Sequence, residues 1–71
     1  MENEIEKYYT YVSKLVESLH TDSEKFAKGN RSAGLRLRKS LRHLKNVSSD
    51  FINVTLGKET KHQLFEEEKE D

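Results

Sequence analysis
The chain has 71 residues, 32% of them hydrophobic, and a mean hydropathy of -0.97, which suffices for one small domain with a marginal core. It carries 13 basic and 13 acidic residues, three glycines, no proline and no tryptophan, and this is the composition of long solvated helices, so the predicted class is all-α. The absence of cysteine excludes disulfides, thiolate nucleophiles and thiolate metal sites, and it fits a reducing cytoplasm.

The chain opens on Met1, Glu2, Asn3 and Glu4, an acidic start without the apolar run that a signal peptide or a membrane span needs. Apolar residues then recur in steps of three and four at Ile5, Tyr8 or Tyr9, Val12, Leu15, Val16, Leu19 and Phe26. This stripe predicts a first helix over about residues 2–28. Glu2, Glu4 and Glu6 in its first turn and Lys25 and Lys28 in its last complement the helix dipole. Gly29 can take the left-handed conformation that ends a helix, and Asn30 is a good N-cap for the next, so a tight connection is expected.

A second helix is predicted over about residues 31–56. Its apolar face is read as Ala33, Leu37, Leu41, Leu44, Ser48, Phe51 and Thr55, with Val47 and Val54 flanking, and Gly57 is its stop. The two helices should form an antiparallel hairpin over residues 1–57. Residues 58–71 end in an acidic run and read as a frayed or disordered tail, or alternatively as a short third helix around Lys61 to Glu68. Residues seven apart, Ile5, Val12, Leu19 and Phe26 on one helix and Leu37, Leu44 and Phe51 on the other, fit coiled-coil seams. One hairpin cannot cover all this apolar surface, so a homodimer or higher homo-oligomeric bundle is expected.

The most informative stretch runs from Lys25 to Ser49, which holds eight lysines and arginines and no acid. Segregated positive charge on a neutral chain suits a polyanionic partner. With Leu37 placed at the core, Arg36, Arg38, Lys39, Arg42 and Lys45 spread from about 80° to about 260° of the helical wheel, the side away from the core. Arginine forks bind phosphate oxygens with two donors, and each phosphate neutralised releases counterions. The first amides of the second helix, at Asn30, Arg31 and Ser32, offer a further anion-binding device. Gly34 costs about 1 kcal/mol relative to alanine inside a helix. Two readings account for it: close approach of a phosphate, or close packing against Lys25 or Phe26. The basic helix has none of the Glu-Lys pairs of an ordinary solvated face. An alternative role for Arg36, Arg38 and Arg42 is pairing between subunits with Glu2, Glu4, Glu6 or the acidic tail.

The run Gly29, Asn30, Arg31, Ser32, Ala33, Gly34, followed by Arg36, Arg38 and Lys39, resembles the signature of the bacterial linker-histone-like family typified by the chlamydial histone-like nucleoid proteins. The close match covers about eleven residues, with a looser helical similarity over residues 1 to 57. The resemblance implies a small helical protein that binds duplex DNA without sequence specificity, associated with the nucleoid. It carries over to Asn30, Arg31, Ser32, Arg36, Arg38 and Lys39. Lys28, Arg42 and Lys45 join them on charge and wheel position. The chlamydial proteins extend into a long basic tail, whereas residues 66–71 here are acidic apart from Lys69, so compaction by charge neutralisation is not expected and the tail would compete with DNA for the basic face.

No enzyme is expected, and no cofactor or metal. His20, His43 and His62 lack metal-site spacing and read as surface residues, with His43 able to add a pH-dependent charge beside DNA. The sequons at Asn46 and Asn53 read as chance matches without a secretory signal. Two long helices argue against a helix-turn-helix reader. No aromatic is interleaved with the basic run, which argues against base stacking on single strands. The expected function is phosphate-directed binding of double-stranded DNA, and the competing class is a coiled-coil assembly module that binds no nucleic acid.

Overall fold
The computed structural model describes residues 3–60. Two helices, α1 (Glu4–Ala27) and α2 (Arg31–Thr55), pack against each other as an antiparallel hairpin, and no strand occurs among the described residues. Local chemistry sets each helix end. Asn3 Oδ1 accepts the Glu6 amide at 2.9 Å, with Glu4 and Glu6 in the first turn where the helix dipole favours negative charge. At the other end Gly29 takes φ 103°, which no L side chain adopts cheaply. The Gly29 amide then donates to Phe26 at 2.9 Å and the Asn30 amide to Lys25 at 3.0 Å, closing α1 with the paired bonds of a Schellman motif. Asn30 Oδ1 accepts the Ala33 amide at 3.1 Å, so one residue past the glycine the chain is already capping α2. Gly57, at φ 74°, and the bond from the Lys58 amide to Asn53 at 2.8 Å close α2 in the same way.

The seam between the helices follows alternating steps of four and three. On α1 it runs through Tyr8, Val12, Leu15, Leu19, Asp22 and Phe26; on α2 it runs through Ala33, Leu37, Ser40, Leu44, Val47, Phe51 and Val54. Every one of these is buried or half-buried except Phe26, whose ring lies on the backbone of Gly34. A mean step of 3.5 residues is the period of a coiled coil. Val47 is wholly buried at the centre, and the Tyr8 ring stacks on Phe51 at 5.5 Å between centroids. Burial pushes the Tyr8 phenol above the ordinary tyrosine range, the Asp50 carboxylate adds to that, and a hydrogen bond with Thr60 opposes it.

The predicted apolar faces are corrected by this seam. Leu41 is exposed and Val47 buried, the reverse of the expected ranking, and Ile5 also lies outside the core. The reason is that α2 carries two apolar edges, one through Leu44, Val47, Phe51 and Val54 and one through Leu41 and Ile52, and a wheel centred on both falls between them. Only the first edge keeps the 3.5-residue step that lets two helices stay in contact as they wind slightly around each other. Phe26, at 46% exposed, is half outside the core for a different reason, since the chain turns away just beyond it. The tail read over residues 58–71 lies outside the described residues from residue 61 on, as do the alternative third helix around residues 61–68 and the structural setting of Glu2 and His62.

Candidate nucleic-acid interface
The nine predicted contact residues are all exposed. Lys28 caps the end of α1, Asn30 caps the start of α2, and Arg31 and Ser32 lie in the first turn of α2, so four of them gather around the hairpin turn. Arg38, Lys39, Arg42 and Lys45 project from the side of α2 turned away from α1. From Arg31 to Lys45 the helix rises about 21 Å and carries six arginines and lysines, whereas a duplex carries about twelve phosphates over that length. No acid occurs on α2 before Asp50, and Asp50 is wholly buried, so α2 presents no carboxylate on its outer face.

Arg36 differs from its neighbours. Its Nε donates to Asp22 Oδ1 of α1 at 3.2 Å, which ties it to the rim of the seam instead of the outer face where the wheel placed it. The displacement follows from the seam itself, whose true centre lies nearer Val47 than Leu37 and so brings Arg36 against α1. Asp22 is largely buried while Arg36 stays half-exposed, so the pair contributes at most about 1 kcal/mol after solvent screening. The guanidinium uses one of its five donors on Asp22.

Asn30 has a structural task beside any contact with an anion, because its side-chain oxygen is taken by the Ala33 amide. That leaves the amides of the first two residues of α2 as the donors an anion at the turn would meet. Gly34 is buried, and a Cβ there would sit 2.6 Å from Phe26 Cε1 and 2.7 Å from Phe26 Cδ1. Of the two readings for this glycine, close packing against Phe26 is the one the fold adopts; a phosphate has no path to its backbone.

His43 is not a plain surface residue. The Tyr11 hydroxyl and His43 Nε2 lie 2.7 Å apart across the hairpin, and the two rings meet edge to face at 5.7 Å. This contact and the part played by Asp22 were missed from sequence because no charged or ring-nitrogen side chain was placed on the seam. The signal was present: Asp22 follows Leu15 and Leu19 at the next seam step. His20 lies at the surface within 3.3 Å of Glu24. Among the described residues no group of three or more His, Asp or Glu side chains could hold a metal ion, and no helix is long and apolar enough to cross a membrane.

The family described as histone H1-like protein Hc1 matches residues 5–60, more than half of the chain and nearly all of the hairpin. No curated protein and no solved structure matches it.

Proposed function
Because the chain belongs to the histone H1-like Hc1 family, we propose that it is a nucleoid-associated cytoplasmic protein that binds double-stranded DNA through phosphates, with little sequence preference, as a homo-oligomer. The observation that carries this reading is the outer face of α2, where Arg31, Arg38, Lys39, Arg42 and Lys45 are exposed with no carboxylate among them. Lys28, Asn30, Ser32 and Arg36 extend that face around the turn. Such contacts hold a protein on the backbone without reading bases, so no preferred target sequence is implied. Catalysis forms no part of this reading.

The competing reading, an assembly module that binds no nucleic acid, is favoured by one observation: five large apolar side chains stay exposed along one flank of the hairpin. Binding to a random-sequence duplex across a salt series separates the two. The variant to compare is Arg38→Ala, Lys39→Ala, Arg42→Ala, which leaves Arg36 in place so that Asp22 keeps its partner. If all three side chains meet phosphates, the slope of log affinity against log salt should become shallower by about 2.7, with helicity unchanged. An unchanged slope would move the site off α2, and no binding at low salt would favour the assembly module.

A further inference from the structure
The two flanks of the hairpin seam differ in chemistry. On one, polar side chains bridge the helices, Tyr11 with His43 and Asp22 with Arg36. The other is apolar: Ile5, Tyr9 and Val16 of α1 and Leu41 and Ile52 of α2 are 41–65% exposed. Each of these lies about a quarter turn from the seam in the same rotational sense, which in antiparallel helices brings them to the same side. Ile5 to Val16 on α1 and Leu41 to Ile52 on α2 each span about 17 Å, so the patch runs along about three turns of both helices.

Within it lies an open groove of about 280 Å³ lined by Ser48, Phe51, Ile52 and Thr55, with Val12 at its edge. Four residues at i, i+3, i+4 and i+7 make up the hole into which a facing helix inserts a side chain in a coiled coil. Tyr9 is the matching knob. It is 65% exposed, and its neighbour Tyr8 stacks on Phe51, so Tyr9 stands level with the groove along the hairpin.

We propose that a second copy of this chain covers this flank, in a four-helix bundle whose two-fold axis runs parallel to the helices, with Tyr9 of each copy seated in the Ser48, Phe51, Ile52 and Thr55 hole of the other. Such an axis keeps every residue at its own height and lays α1 of one copy on α2 of the other. Tyr9 then falls within one helical turn of Ile52 and Val16 within one turn of Leu41, by the heights that the Tyr8–Phe51 and Asp22–Arg36 pairs set. Charge selects this axis over the perpendicular one. The side of α1 remote from the seam carries Glu6, Glu17 and Glu24, while that of α2 carries Arg38, Arg42 and Lys45. The parallel axis brings acidic beside basic, with Glu17 of one copy level with Arg42 of the other. The perpendicular axis would set α1 on α1 and α2 on α2, like beside like. In the proposed dimer the two α2 helices lie at opposite corners of the bundle, so their basic faces point to opposite sides.

This inference rests on the self-association proposed above, and the test keeps the two apart. The chain has no cysteine, so Tyr9→Cys and Ile52→Cys can be made as separate single-cysteine chains, mixed and oxidised. The expected result is a covalent heterodimer with native helicity, alongside a wild-type mass of twice the chain by sedimentation equilibrium. Ile52→Glu should weaken the wild-type dimer at least tenfold. Preferential cross-linking of Leu41→Cys to Ile52→Cys would overturn the proposal in favour of the perpendicular axis. A wild-type dimer with neither cross-link would overturn the face while leaving self-association standing, and a monomeric mass at all concentrations would overturn both.

Discussion

Replacing Gly34 by alanine sets two effects of known sign against each other. Alanine is favoured over glycine inside a helix by about 1 kcal/mol. The added methyl carbon, however, would lie 2.6 Å from Phe26 Cε1, about 1 Å inside the 3.5–4.0 Å of a normal carbon contact. Either the ring is squeezed, at a typical overpacking cost of about 1–3 kcal/mol, or it swings into solvent. Phe26 is 46% exposed, so swinging out forfeits about half of the roughly 1.5–3 kcal/mol that full burial contributes. Gly34→Ala should therefore leave the hairpin unchanged to about 0.5 kcal/mol less stable. Removing the ring reverses the balance: in a Phe26→Ala background the same substitution should stabilise by about 1 kcal/mol. The coupling between the two positions is then about 1–1.5 kcal/mol, measured by urea unfolding of the four chains of the cycle at one fixed concentration. Gly34→Ala stabilising by about 1 kcal/mol in both backgrounds would refute the packing account of this glycine.

Two further substitutions probe the ends of the seam. Asn30→Ala removes the acceptor of the Ala33 amide and should cost about 1 kcal/mol in thermal or urea unfolding, with Asn30→Asp recovering most of it; an unperturbed alanine variant would mean the cap is not formed in solution. Burial holds the Tyr8 proton to higher pH in the folded chain than in the unfolded one, so the stability tied to it is complete below about pH 10 and falls as pH rises beyond that. The urea midpoint should thus drop on going from about pH 8.5 to about pH 10.5 by more in the wild type than in Tyr8→Phe, which keeps the ring on Phe51. Equal losses in the two proteins would show that Tyr8 is not the group responsible.

Much of this fold is local and therefore legible along the chain. The charge arrangement of the first turn of α1, the glycine after its last turn and the asparagine one residue later each act within a few residues, and they dictate two helices and a tight connection before any packing is considered. The basic outer face follows from composition alone, because six cations without an acid over the four turns of α2 from Arg31 to Lys45 must spread around much of its circumference. What the sequence left undecided was rotation. Leu41 and Val47 are both apolar and both fit a helical stripe, and the choice between them depends on which edge of α2 keeps step with α1 over the whole contact. That depends on pairs far apart in the chain, such as Tyr8 with Phe51 and Asp22 with Arg36. The same rotation moved Arg36 to the rim, drew His43 into contact with Tyr11, seated Phe26 on Gly34 and left Tyr9 and Ile52 facing outward. Local propensity thus determined what the two helices are, and only tertiary contact decided which sides of them meet, because shape and hydrogen bonding across a seam have no signature within a single turn.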